Sequence, residues 1–244
     1  MIESDRVYLT SLSGKSVILV GPADYLVGSG LGDEINSYDL VVRMNLSCPV
    51  PEELKVDLGS RTDILYHICM TEKQIKAMDM PHLTHTREQT QSWADDGVKW
   101  LVSKRSQKTA RVRKMHEAVD GIIRMTNVMG FRLRMLEQLV DTNPNMSTVA
   151  IYHIMQSKCL KLRVIGCDFH RSGYFPGYGG FSAEQAKLGA GSTTMWGQTK
   201  QPERPMCHDV NRQLKFLSYM LQRYKRLEFD EVLMKIVEDG VKCQ

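Results

Sequence analysis

Seven histidines occur in the chain, and one of them stands where proton transfer would be useful. His208 opens the run His208-Asp209-Val210-Asn211-Arg212-Gln213, directly before an apolar helical pattern from Leu214 to Leu221. An imidazole titrates near pH ~6.5, so at neutral pH it can take the proton of a hydroxyl as that oxygen attacks. A helix behind it would fix its position. The other histidines have plainer explanations. His153 lies on an apolar helical pattern and reads as core, and His116 belongs to a basic helix. His82 and His85 form an H-x-x-H pair without a third ligand nearby, which is thin ground for a metal site.

Two further stretches carry groups that could hold an anion. The apolar run Val17-Ile18-Leu19-Val20 ends at Gly21 and is followed by Pro22, Ala23, Gly28, Gly30 and Gly32. A buried strand running into a glycine turn lets a backbone approach a ligand closely. The spacing is neither G-x-G-x-x-G nor G-x-x-x-x-G-K-[ST], so the glycines alone fit a phosphate or nucleotide ligand or a plain turn. The second stretch is Ser147-Thr148, after Pro144, at the start of an apolar helix. Those hydroxyls serve simple helix capping, or, with the free N–H groups of a helix N-terminus, an anion.

These residues need elements to position them. Apolar runs predict strands at 17–21, 40–44, 64–70, 98–102, 122–125 and 162–166. Helical patterns fall at 71–80, along a basic run of Lys104, Arg105, Lys108, Arg111, Arg113 and Lys114, at 131–140, at 147–159 and at 214–221. In the 131–140 helix, Leu133, Leu136, Leu139 and Val140 are expected on one side. Residues 46–56, with Pro49 and Pro51, read as a loop, and Trp93–Gly97 as a turn. Alternating strands and helices give an α/β fold: one Rossmann-like domain over 1–244, with a mostly parallel sheet flanked by helices. The Gly-, Tyr- and Ser-rich segment Gly173–Gly197 reads as a lid on the acceptor side.

Bulk properties exclude more than they assign. At 244 residues, 42% hydrophobic and 25% charged, the chain is an ordinary globular sequence, and no apolar run approaches the ~20 residues of a membrane span. The first twelve residues lack the apolar core of a signal peptide, so a cytoplasmic location is expected. A net charge of +4 suits an anionic ligand, and a peripheral contact with a membrane surface stays open. Lys104 to Lys114 has no interleaved aromatic residue, which argues against nucleic acid. The six cysteines contain no C-x-x-C pair, so no zinc cluster is expected. The oligomeric state is not readable.

The order of several segments says more than each does alone. Gly28-Ser29-Gly30-Leu31-Gly32, Glu34-Ile35, Ser37-Tyr38-Asp39, Arg43-Met44-Asn45 and Asp57-Leu58-Gly59-Ser60-Arg61-Thr62 together closely resemble the large motif of the eukaryotic-type sialyltransferase family. Pro144, Ser147-Thr148, the apolar helix, Cys159, the apolar strand and Gly166 follow the order of its small motif. His208 matches the histidine of its last motif, where a glutamate stands five positions on; here that position is Gln213.

The resemblance implies a GT-A-like variant of the Rossmann-like fold and an inverting, metal-independent glycosyltransferase moving sialic acid from CMP-sialic acid to a sugar hydroxyl. Its partners would be that donor and a glycan acceptor, with no cofactor. It implies His208 as the base, and Gly21, Pro22, Ala23, Asn45, Ser147, Thr148, Gly166, Cys167 and Asp168 along the donor. The family's His-Tyr-Tyr motif has no clear counterpart, so its contact with the leaving phosphate passes to His170, Arg171, Tyr174 or Tyr178, or is lost. Family members join a cysteine at the start of the large motif to one in the small motif. Cys159 matches the second but Val17 stands at the first, which points to a reducing compartment. Val149 replaces a usual glycine, and Pro22, without an N–H, replaces a usual asparagine. A Kdo transferase using CMP-Kdo, or a nucleotide-binding module without catalysis, are the alternatives.

Overall fold

The computed structural model describes residues 3–69, 86–104, 110–169, 171–180 and 209–242. The strands are β1 (Ser16–Val20), β2 (Leu40–Met44), β3 (Ile64–His67), β4 (Trp100–Ser103), β5 (Arg124–Asn127), β6 (Lys161–Ile165) and β7 (Leu227–Phe229). They pair in the order β5-β4-β3-β2-β1-β6-β7, and every pairing is parallel. The sheet is therefore wholly rather than mostly parallel. Such a sheet must be covered on both faces, which is why Val17–Val20 of β1 and Leu40–Val42 of β2 read as apolar runs instead of alternating ones.

The helices are α1 (Asp5–Ser11), α2 (Gly32–Asn36), α3 (Lys55–Leu58), α4 (Arg87–Asp95), α5 (Ala110–Val119), α6 (Gly130–Val140), α7 (Met146–Met155), α8 (Val210–Arg223) and α9 (Glu231–Lys242). On one face, Val17, Leu19, Val42, Ile64 and Val164 pack under α1, α7, α8 and α9. On the other, Ile18, Val20, Val41 and Ile165 form a core with Tyr174, Phe175 and Tyr178, while Leu65, Leu101 and Met125 meet Trp93, Val112 and Met115. Every residue of α7 is buried. That explains its apolar, weakly amphipathic sequence: it is enclosed on all sides rather than laid on a surface.

The chain runs from β1 outward through β2, β3, β4 and β5, then returns to place β6 on the other side of β1. The strand order thus reverses between β1 and β6. In open α/β sheets ligands bind outside the carboxyl ends of the strands at such a switch point.

Several local expectations change. Trp93 belongs to α4, which runs on to Asp95, and the turn follows it at Asp96–Gly97. The 46–56 loop gives way to a 3-10 turn at Glu52–Leu54 and then α3. Leu139 is 57% exposed while Leu136 and Val140 are buried. The expected helix at 71–80, His82 and His85 lie outside the described residues. No described helix is long and apolar enough to cross a membrane.

Candidate active site

Gly21 leaves β1 and Gly166 leaves β6, side by side at the switch point. A Cβ on Gly21 would stand 2.0 Å from the Gly166 carbonyl oxygen and 2.7 Å from Cys167 Sγ. Gly166 has φ +69°, and a Cβ there would lie 2.5 Å from Leu26 Cδ1. Only glycine fits either position, and each is required by the other.

The backbone donors of this turn are already in use. Gly21 N–H donates to Ile165 O (2.8 Å), Ala23 N–H to Gly166 O (3.1 Å) and Asp24 N–H to Gly173 O (2.9 Å), while Pro22 has none. Gly28 and Gly30 both give their N–H groups to the Asp57 carboxylate, each at 2.8 Å. The glycine-rich loop therefore cradles a side chain of its own chain. Gly166 N–H donates to Tyr25 Oη (2.8 Å) and Asp230 Oδ2 (3.0 Å), and Tyr25 Oη–H donates to that same carboxylate oxygen (2.6 Å). Burial, and then Asp230, push the Tyr25 hydroxyl far above its usual range. The N–H groups of Gly21, Ala23 and Asp24 are each paired within the chain.

Residues 171–180 close over the same edge. Ala23 and Tyr174 form an antiparallel bridge, and Phe175 N–H donates to Pro22 O (2.9 Å). The rings of Tyr174 and Tyr178 lie 4.4 Å apart, and both are buried. Asn45, at φ 51°, takes the Ile68 N–H on Oδ1 (3.0 Å) and hydrogen-bonds the buried Tyr178 hydroxyl, whose pKa burial raises. So Gly21, Pro22, Ala23, Asn45, Gly166, Cys167, Tyr174 and Tyr178 form one contiguous cluster. Residues 173–180 of the expected lid are packed cover; 181–197 lie outside the described residues. Asp168 turns back to accept from Ser172 N–H (2.5 Å), and Arg171 is exposed.

The first turn of α7 forms a second cluster at the same edge. Lys104, just past the end of β4, reaches Asn143 Oδ1 (2.8 Å) and the Pro144 carbonyl, which places α7's start there. Lys104, the first residue of the basic run read as helical, is buried and lies before the helix α5. The N-cap is Asn145, not Ser147 or Thr148: its Oδ1 accepts from Thr148 N–H and Ser147 Oγ–H, both at 2.9 Å. Thr148 Oγ1–H donates to Gln213 Oε1 (2.8 Å). Both hydroxyl protons are thus committed inside the protein. The first N–H groups of α7, on Met146 and Ser147, have no intrahelical carbonyl in reach.

The model of glycosyltransferase family 29 (sialyltransferase) matches residues 8–155. The chain belongs to that family. Two crystal structures of a mammalian sialyltransferase, one in complex with Gal-beta-1-3GalNAc-ortho-nitrophenol, are 13% identical to this chain, with a TM-score of 0.47, covering 92% of it and 77% of theirs. No curated protein matches the chain.

The family match runs from α1 to the end of α7 and so takes in Gly21, Pro22, Ala23, Asn45 and the first turn of α7, whereas Gly166, Cys167, Tyr174, Tyr178 and Gln213 lie beyond it. His208 and His170 lie outside the described residues. Among the described residues no group of three His, Cys, Asp or Glu could hold a metal ion. Cys48, Cys159 and Cys167 are free thiols, and they and Cys69 are buried. Sequence reasoning missed Tyr25, Asp230 and the partners of Asp57. Asp230-Glu231 ahead of an apolar helical pattern was a readable cap signal; the pairing with Tyr25 had none.

Proposed function

We propose that this chain is an inverting sialyltransferase using CMP-sialic acid, with His208 as the base. One observation carries the reading: two segments inside the family match, the turn after β1 and the first turn of α7, lie at the same carboxyl edge of the sheet, the first of them at its switch point. His208 would take the proton of an acceptor sugar hydroxyl as its oxygen attacks the anomeric carbon. CMP then leaves with the bonding electrons, and the centre inverts through an oxocarbenium-like state. The Met146 and Ser147 N–H groups, with the buried Lys104 ammonium below the same turn, would receive the departing phosphate. The Gly21–Gly166 wall would shape the donor's bed without donating to it. A single leaving phosphate needs no cation to gather a diphosphate, and the chain contains no Asp-x-Asp.

Pro22, without an N–H where the family has asparagine, alters this end of the donor site and keeps one competing donor, CMP-Kdo, open. Turnover of CMP-sialic acid and CMP-Kdo over an acceptor panel separates the two. His208→Ala should abolish turnover and leave the CMP Kd within about threefold. Wild-type protein that binds CMP without turnover, or a fully active His208→Ala, would overturn the proposal.

A further inference from the structure

Gln213 has no solvent exposure, yet it links three separate backbone or side-chain groups. Its Oε1 accepts from Asn145 N–H and from Thr148 Oγ1–H, both at 2.8 Å. Its Nε2 donates to Asp209 O at 3.2 Å. Asn145 caps α7 and Asp209 caps α8, so one buried amide ties the two helix starts together. Around it the start of α8 is held by weaker, outer contacts. Asp209 N–H donates to Thr142 Oγ1 (3.0 Å), and the half-exposed Arg212 pairs with Asp141. The sequence places His208 immediately before Asp209.

We infer that Gln213 is a positioning residue: it fixes where the chain enters α8, and with it the histidine one position earlier, relative to the donor-side turn of α7. This rests on the role given to His208 above. The two sides of the link are unequal. Asn145 Oδ1 caps α7 without help from Gln213, so the donor side keeps its shape when the amide is removed. The entry to α8 loses its buried anchor and keeps only the outer contacts. A displacement of about 1 Å at a reacting group can cost about a hundredfold in rate.

The experiment compares Gln213→Met, which fills the volume and makes neither bond, with Gln213→Glu, which keeps an accepting oxygen. Thr148→Val, which removes one bond, guards against a Met variant that fails to fold. Measurements are kcat, KM, the CMP Kd and amide exchange at Asn145, all well below the unfolding midpoint. Gln213→Met should lower kcat at least tenfold while the CMP Kd moves less than threefold. Thr148→Val should give a smaller loss, and Gln213→Glu should recover most of the rate. Faster Asn145 exchange in Gln213→Met should accompany the loss. Unchanged Asn145 exchange, or parallel losses of kcat and CMP affinity, would overturn the inference. So would an unaltered kcat in an active wild-type background. A wild type inert toward both donors, with Asn145 protected, would instead remove the catalytic reading and the positioning role along with it.

Discussion

At the scale of single residues, the most constrained polar group is His153, at the heart of an otherwise apolar core. Tyr8 Oη and Tyr66 Oη lie 2.9 Å apart, Tyr66 Oη is 2.9 Å from His153 Nδ1, and His153 Nε2 is 2.5 Å from Asp5 Oδ1. Arg132 Nε donates to the other Asp5 oxygen at 3.0 Å. With the imidazole neutral and its proton assigned to Nε2, each hydroxyl donates to the next group and every polar atom is satisfied. A second proton on Nδ1 would turn the chain round. Tyr8 would then have no acceptor, and a new charge would sit near Arg132. Burial accordingly lowers the His153 pKa below 6.5, although the Asp5 contact pulls the other way. The unfolded chain therefore binds the proton more readily than the folded one just below pH ~6.5. Stability should rise with pH through that window and be lost as pH falls below it. Unfolding midpoints between pH 5 and 8 test this. His153→Gln should be less stable overall, with a flatter slope between pH 5 and 6.5; identical slopes would mean that another group carries the dependence.

At the scale of elements, the glycine loop shows how far the sequence reaches. Gly28 and Gly30, at φ +81° and +65°, aim their N–H groups at Asp57. Those two bonds hold the Asp57 carboxyl below its ordinary range, so its contribution is present above pH ~4 and fades as pH drops through the folded value. Asp57→Asn would set an NH2 against one of the two N–H groups. Amide exchange across Gly28–Gly32 should quicken at least tenfold, with a lower unfolding midpoint. The CMP Kd should move less than threefold, since the cradle serves Asp57 and not a phosphate; a large loss of affinity would restore the loop to the ligand. Both the glycines and Asp57 were visible in the chain, but no local rule joins positions 28 and 57. The strand β2 was legible as an apolar run, and the helix α6 as a run long enough to show its period. Leu139 was misjudged by geometry: at about 100° per residue it lies well round from the stripe of Leu133, Leu136 and Val140. The strand β7 has three residues with Glu228 in the middle, too short to show a period, and α9 was missed with it.

At the scale of the whole molecule, the switch point is closed by the two ends of the chain. Tyr25 follows β1 and Asp230 follows β7, yet the Tyr25 hydroxyl donates to the Asp230 carboxylate and the two together hold the Gly166 N–H. Asp230 also caps α9 through Leu233 N–H at 2.8 Å, so the last strand and helix are anchored to the same carboxylate. Every neighbour of that carboxylate is a donor. Asp230→Asn would place an NH2 among them and leave at least one buried donor facing it. Tyr25→Phe is milder, because Gly166 N–H keeps Asp230 Oδ2 at 3.0 Å. Removing that single hydroxyl should cost about 1 kcal/mol, whereas Asp230→Asn, which leaves an unmatched buried donor, should cost about 2–3 kcal/mol. The two share a network, so the double variant should lose less than the sum. Denaturant unfolding of the four proteins measures this. Strict additivity would mean that Tyr25 and Asp230 act separately, and that the wall behind Gly21 is not held by the chain's far end.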